Sequence, residues 1–537
     1  MLIGAPFTVY FYSEFDIKPE SAQVFRGPNT DPMRGSQGLA NGQPSFPIYD
    51  NSTDKESSGP MNDRVGAVFS WKPDTEARII SKVGISFISV EKARAFIRSE
   101  IPSWTLSDTV ESAVKEWNED VFSKIQVALD DTANLTNGIY SDALLAFTTS
   151  SSPPTTNGRS GNWNGLVQGG SNADNVLADA YVKGLRGAIN WADGYAAMKT
   201  NAEKVPYNTY DPTDFIASTK EGRGALLDWL ELGYVSQDRS TRCISRTVEY
   251  SLNDFALSQV AAGEMPEDRD TYLRRSAGWQ KIWNAEVESL GFTGFLAPRF
   301  SNGEFNNSGY DPLYCYECEW HAYTYEGVPW EYSFVIPHDM KTLIDLMGGP
   351  ETFEARLDLM FKPNTSVQQL GPNGAGITTL MNIGNEPDFA TPYLYNYVNK
   401  QYKSVQRSRE LAYQYFHDAP NGLPGNSDAG AMNTWLLWQM LGIYPLATTN
   451  VYLLVSPWFP DLNMTINGDK KLRIIATGLE DGVFVQSVRI NGTLWEKNWF
   501  EHEDVMVDGG LIEFELGGEM KMWEVGDVPP SLGHVEL

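Results

Sequence analysis

The hydrophobic pattern changes period along the 537-residue chain, and each change marks a candidate boundary. Phe7-Thr8-Val9-Tyr10-Phe11, Gly66-Ala67-Val68-Phe69-Ser70-Trp71 and Val83-Gly84-Ile85-Ser86-Phe87-Ile88 carry strand composition. Residues 27–62, rich in Gly, Pro, Asn and Ser, read as loop. The period turns helical over 91–98 and again over about 106–128. There Ser107 or Asp108 would cap a helix with Val110, Val114, Trp117, Val121 and Ile125 on one face. Another helix, from Thr136 through Ile139, Leu144 and Leu145, breaks in the Thr/Ser/Pro run 148–156.

From about 173 to 300 helical patterns follow one another, with Leu226, Leu227 and Leu230 on one helix. Val248, Leu252, Phe255 and Ala256 form a second apolar face, closing at Gly263. Lys341–Met347 is a short helix stopped by Gly348-Gly349, and Pro350 starts the next, with Phe353, Leu357 and Met360 inward. A helix from about Gln401 to His417 and an apolar run through Trp435, Leu437, Trp438 and Leu441 complete the series. Past Pro445 the period returns to two: 451–455, 472–475, 483–485, 487–490 and 512–516 are short strands, turned by Asn467-Gly468 and Asn491-Gly492. The chain thus reads as multi-domain α+β. Residues 1–90 are a β region with too few strands for a complete sandwich, 91–135 a helical linker, 136–445 helical, and 446–537 a compact β module. Successive helices without alternating strands imply an all-α toroid or a bundle, which pattern alone does not separate.

Composition narrows the partners. Hydrophobic residues at 42% and charged residues at 20% describe a globular protein. A net charge of −28 repels nucleic acid and anionic membrane, while suiting neutral glycans and a divalent cation. No apolar run is long enough to span a membrane. The N-terminus lacks the basic region and cleavage site of a signal peptide. Acceptor sequons at Asn51, Asn134, Asn306, Asn364, Asn463 and Asn491 lean towards a secretory history. Cys315 and Cys318 have no second ligand pair for zinc. A small-loop disulfide, or a bridge from Cys243 to one of them, fits an exported protein. His502 and His534 read as surface residues.

The candidate chemistry lies between Gly384 and Pro445. Gly384-Asn385-Glu386-Pro387 leads into Pro392-Tyr393-Leu394-Tyr395-Asn396-Tyr397, and Leu423-Pro424-Gly425-Asn426-Ser427-Asp428-Ala429-Gly430 precedes the apolar run. Carboxylates in Gly/Pro-punctuated loops beside aromatic-rich helices suit a sugar-cleaving site, which needs two fixed acids and flat apolar faces. On local pattern alone, Asn426, Ser427 and Asp428 are helix-capping residue types. Glu326, in Tyr325-Glu326-Gly327, reads locally as a solvated loop carboxylate. Its neighbours Tyr323, Tyr325, Trp330 and Tyr332 would desolvate it and raise its pKa.

These two motifs, with Asn157-Gly158-Arg159-Ser160-Gly161 through Gln168 to Asp174 and Tyr325-Glu326-Gly327 through Pro337-His338-Asp339, resemble glycoside hydrolase family 92. The resemblance implies a calcium-dependent, inverting exo-α-mannosidase with an N-terminal β-sandwich and a C-terminal (α/α)6 barrel, acting on mannose-containing glycans in the secretory pathway or outside the cell. It implies Glu326 as general acid and Asp428 as general base. Asn426 stands where some relatives have a second acid, and can orient a water without taking its proton. Asn385 and Glu386 are the expected calcium contacts, and Asn162, Asp174 and Trp330, with Asn426, the expected substrate contacts. Compared with the family, the chain is fragmentary at the N-terminus and near residues 147–157. An alternative is therefore a truncated, inactive relative with at most weak glycan binding; another is a different (α/α)6 hydrolase of trehalase type.

Overall fold

The computed structural model describes residues 9–28, 48–50, 63–72, 78–127, 167–187, 189–206, 217, 222–315, 318, 320–367, 374, 376–419, 421–428, 430–523 and 526–535. The chain divides into two compact units, Met1–Trp117 and Asn118–Leu537. The helix expected from Thr136 and the 148–156 run lie outside the described residues.

In the first unit, strands Tyr10–Phe15 and Ser81–Ser86 pair antiparallel, with Phe11 opposite Ile85. A second sheet has the order Ile48–Asp50, Ser21–Pro28, Asp63–Ser70, so a strand interrupts the stretch expected to be loop. Phe15 meets Phe69 at 4.6 Å and Trp71 at 5.2 Å between ring centroids, joining the two sheets. Strand Ser81–Ser86 reverses the usual burial: Lys82, Gly84 and Ser86 are buried, whereas Val83 and Ile85 are 53% and 57% exposed. The cause is the helix Val90–Glu100, capped by Ser89, which packs on the small-residue face. A Cβ on Gly84 would lie 2.2 Å from the Ala93 carbonyl oxygen, so only glycine admits this approach. The Lys82 ammonium leaves the buried face by donating to the carbonyls of Ile101 and Pro102.

The second helix, Leu106–Glu116, has Thr105 at its cap, and neither Ser107 nor Asp108 caps it; Asp108 instead accepts from Ser103. Its expected apolar face is not buried, with Val110 and Val114 each 52% exposed. The helix does not continue to 128. It passes through a wide turn at Trp117–Val121 and a tight one at Phe122–Lys124 into a strand, Ile125–Val127.

After that strand, the described part of the second unit continues with helices Asn172–Val182, Trp191–Glu203, Leu226–Leu232, Cys243–Glu264 and Pro266–Arg275. Gly263 does not end its helix: it lies within the last turn, where a Cβ would strike the Tyr181 hydroxyl. On Leu226–Leu232 the inward residues are Leu226, Asp228 and Trp229, and Leu227 and Leu230 face out. The helical series is also interrupted by an antiparallel hairpin, Trp283–Ser289 with Phe292–Leu296, turning through left-handed Leu290 and Gly291. Helices Met340–Leu346, Pro350–Met360, Gln401–Tyr415 and Ala431–Leu441 follow, with Phe353, Leu357 and Met360 fully buried as the pattern predicts.

Beyond Pro445 the predicted strands form. Both Asn-Gly turns have positive φ at each residue, the geometry that matches the twist of a hairpin. Residues 484–490 make one strand with a register shift rather than two short ones. The six-stranded sheet has the order Thr493–Leu494, Phe484–Ile490, Gly510–Gly517, Lys470–Thr477, Asp461–Ile466, Ile125–Val127. One apolar core runs from Ile125 to Leu516, and a smaller one lies among the helices Asn172–Val182, Trp191–Glu203, Cys243–Glu264 and Pro266–Arg275. Neither His502 nor His534 is fully exposed: His502 meets the Tyr452 hydroxyl at 3.0 Å, and His534 meets Asp339 at 3.2 Å.

Candidate active site

Three loops of the second unit meet, two of them through backbone contacts that glycine alone allows. A Cβ on Gly425 would stand 2.2 Å from the Gly384 oxygen, and one on Gly384 would stand 2.8 Å from the Pro424 oxygen. The loop carrying Asp428 therefore lies directly on the loop carrying Glu386. The third loop carries Glu326. Its middle is held on the start of the long helix, where Arg242 N–H donates to the Ala322 carbonyl at 2.7 Å and Ile244 N–H to that of Tyr323 at 3.0 Å. Asn385 Nδ2 donates to the Glu326 carbonyl at 2.7 Å, tying this loop to the Glu386 loop. Burial, and then the charge of Asp388, push Glu331 well above the usual carboxylate range, so the short helix Pro329–Tyr332 lies beside the loop of Asp388.

The three carboxylates feel one another. Burial, then the charges of Asp428 and Glu249, raise the half-buried Glu326 to about 7. Burial is also the main cause for Glu386, likewise raised to about 7, with Asp428 and Glu326 adding to it. Asp428 is exposed. An acid that keeps its proton near neutrality beside a solvated carboxylate is the division of labour that general acid–base chemistry requires. Glu326 and Asp428 both occupy the left-handed region, at φ +61° and +34°, a costly conformation for residues with a Cβ. Asp428 is not used as a helix cap. The N-cap of Ala431–Leu441 is Gly430, and Ala431 N–H is satisfied by the backbone carbonyls of Ser427 and Asp428.

Glu249, on the long helix, is a fourth carboxylate that sequence motifs did not disclose. Burial raises its pKa even though Arg242 and Arg246 and a hydrogen bond from Gly170 N–H, at 2.6 Å, oppose this. Gly169 is needed there, because its Cβ would overlap the Glu249 carboxylate. One helical turn on, Asn253 accepts from Ser171 N–H at 2.8 Å and donates to the Ser171 carbonyl at 3.0 Å, seating the Gly169–Ser171 segment on the helix. The spacing of four places Glu249 and Asn253 on one helical face, and that is the signal the sequence offered.

Two expected substrate contacts lie in the interior. Trp330 is fully buried among Phe292, Phe295 and Phe334, with its Nε1 donating to Ser289, so it has no surface to present to a sugar. Asp174 is 1% exposed, accepts from Asn201 at 3.0 Å and lies 3.5 Å from Arg223. Tyr393, Tyr395 and Tyr397 are also core residues. Tyr325, next to Glu326 in the chain, and Tyr323 are partly exposed, and the Tyr325 ring lies 4.9 Å from that of the partly exposed Trp320. Asn426 is exposed in the Asp428 loop. Asn162 and Arg159 lie outside the described residues.

No group of three or more His, Cys, Asp or Glu side chains poised to hold a metal occurs among the described residues. Asn385 and Glu386 nevertheless offer hard-cation chemistry. Asn385 Oδ1 and Glu386 Oε1 are both buried without a hydrogen-bond partner. Adjacent amide and carboxylate oxygens suit calcium, which completes its shell with water, carbonyls or ligand hydroxyls. An oxygen left without a donor in the interior is costly unless something occupies its lone pairs.

Residues 143–518 match the model of the glycosyl hydrolase family 92 catalytic domain. The chain is 31% identical over 534 residues to an uncharacterized secreted glycosidase of Arthroderma benhamiae, covering 87% of this chain and 64% of the relative's length. In structure it resembles a family GH92 α-mannosidase of Bacteroides thetaiotaomicron in complex with mannoimidazole, with a TM-score of 0.74 and 21% identity over 98% of this chain and 73% of that one. It also resembles a family GH92 inverting mannosidase of the same species, with a TM-score of 0.73 and 18% identity over 99% and 76% of the two chains.

Proposed function

The chain belongs to glycosyl hydrolase family 92, and on that premise we propose that it releases terminal α-linked mannose from mannose-containing glycans, with inversion and with calcium bound. The observation that carries this reading is the meeting of Glu326, Glu386 and Asp428 on three loops, two locked by glycine contacts and the third tied on by the Asn385 hydrogen bond to the Glu326 carbonyl. The mannosidase neighbours support mannose as the sugar, and the one described as inverting supports the stereochemistry. A secreted relative supports export. The organisation proposed with it is a β-sandwich portion at 1–90, a helical linker at 91–135, an (α/α)6-type region at 136–445 and a β module at 446–537.

Glu326 donates its proton to the glycosidic oxygen as the bond breaks. Asp428 takes a proton from the attacking water on the opposite face, and Asn426 helps orient that water. Burial of Glu326 favours its protonated form, the one that can donate. Asn385 and Glu386 would hold calcium, which when bound offers a Lewis-acid contact for sugar hydroxyls and favours a flattened ring.

The test uses two α-mannosides, a natural mannobiose and an aryl mannoside whose leaving group departs without protonation. Glu326→Gln is expected to lose roughly 10²- to 10⁴-fold on mannobiose and much less on the aryl substrate; Asp428→Asn should lose that much on both. Chelation should abolish hydrolysis, and added calcium should restore it. Equal leaving-group dependence in the two variants overturns the acid and base assignment. Full turnover in excess chelator removes the metal. Absence of mannose release by the unaltered chain favours the inactive-relative reading.

A further inference from the structure

The loop that carries Glu326 contains a disulfide, Cys315–Cys318, whose half-cystines are both buried, while Cys243 is a free buried thiol. The bridge spans a sequence separation of three. A ring that small removes little entropy from the unfolded chain, so its effect falls on local geometry more than on global stability. The local geometry is unusual: Cys318 is held at φ +49°, a conformation that a residue with a Cβ does not adopt without support. Cys318 N–H points back to the Cys315 carbonyl at 3.3 Å, and the Cys318 carbonyl accepts the Glu326 N–H at 2.7 Å. One hydrogen bond thus joins two left-handed residues, each of which limits where the other can stand.

The remaining restraints act at other points. Asn385 holds the Glu326 carbonyl, Tyr332 Oη donates to the Tyr325 carbonyl at 2.8 Å, and Arg242 and Ile244 hold the middle of the loop. Among the described residues, the backbone N–H of Glu326 is fixed through Cys318.

We propose that the Cys315–Cys318 disulfide is a positioning element for the proton donor. Closed, it sets the carbonyl from which Glu326 hangs; open, Cys318 relaxes out of the left-handed region and Glu326 loses its alignment. The proposal rests on the reading of Glu326 as general acid. It makes proton donation, rather than sugar binding or water activation, the step that depends on an oxidised loop.

The experiment compares the unaltered chain, the double variant Cys315→Ala/Cys318→Ala and Glu326→Gln on an α-mannobiose and on 2,4-dinitrophenyl α-mannoside, in calcium. The double variant is expected to lose roughly 10- to 100-fold in kcat on mannobiose, with KM changed by less than about threefold. On the dinitrophenyl substrate, which needs no proton, its kcat should fall by less than about threefold. The unaltered chain, reduced with a phosphine and then reoxidised, should lose and regain mannobiose turnover with its thermal unfolding curve unchanged. That arm keeps the test valid where the double variant does not fold. Equal losses on both substrates, or none on either, overturn the proposal whenever Glu326→Gln itself discriminates between them. If Glu326→Gln does not discriminate, the acid assignment has failed and takes the proposal with it.

Discussion

Asp174 shows how far surroundings, rather than residue type, set a carboxylate's behaviour. Arg223 lies 3.5 Å from it but 2.6 Å from Asp254, so the cation serves mainly the second partner. Burial therefore outweighs Arg223, and Asp174 is raised from 3.8 to about 6. A carboxyl raised on folding contributes stability that is complete below its unfolded value and lost as pH climbs through its folded value. The window here is about pH 4 to 6, and the loss is roughly 3 kcal/mol. Asp174→Asn, which stays neutral, should match the unaltered protein near pH 4 and exceed its denaturant midpoint above pH 6. A constant difference across that range would contradict the assignment. None of this was legible from Asp174 in its motif, because the partners Arg223, Asn201 and Asp254 are brought in by other helices. Glu326 and Asp428 stood out in the sequence because glycines flank them, and of these Gly425 serves a backbone contact between loops.

At the scale of elements, helices with a terminator and a clear apolar stripe were foreseen closely, as in Pro350–Met360 behind Gly349. Those whose period was broken by tertiary demand were not. Strand Ser81–Ser86 was expected, but its buried face is the polar one, since Gly84 must admit the helix at Ala93. The hairpin Trp283–Ser289 with Phe292–Leu296 was missed because its strand residues follow a helical run and its turn, Leu290-Gly291, lacks the usual Asn or Asp. Glycine contacts between loops also make a prediction. Gly425→Ala would press a methyl against the Gly384 oxygen and part the loops of Glu386 and Asp428. A displacement of about 1 Å at a reacting group costs on the order of 10²-fold. Mannobiose turnover should fall by about that factor, while circular dichroism retains the helical signal; unchanged turnover would show that the loops tolerate separation.

Across the whole molecule, the β strands after Pro445 are not an appendage to the helices of the second unit. Asn396 donates to the Leu454 and Asn498 carbonyls, Gln401 to those of Leu454 and Val455, and Arg409 to those of Ser456 and Pro457, all in the buried interior. A chain stopped after Pro445 loses these partners and leaves the apolar core that the strands cover open to water. It is expected to be insoluble, and recovery of a soluble, cooperatively melting fragment would refute that dependence. The shared core has a consequence for synthesis. Ribosomes deliver the carboxylate-bearing loops long before strand Gly510–Gly517, which is flanked in its sheet by Lys470–Thr477 and Phe484–Ile490. At roughly 5–20 residues per second, the growing polypeptide spends several seconds with a finished set of helices and no surface to close them. Translation speed over that final stretch, and the chaperones waiting at the tunnel exit, should govern the yield of native protein.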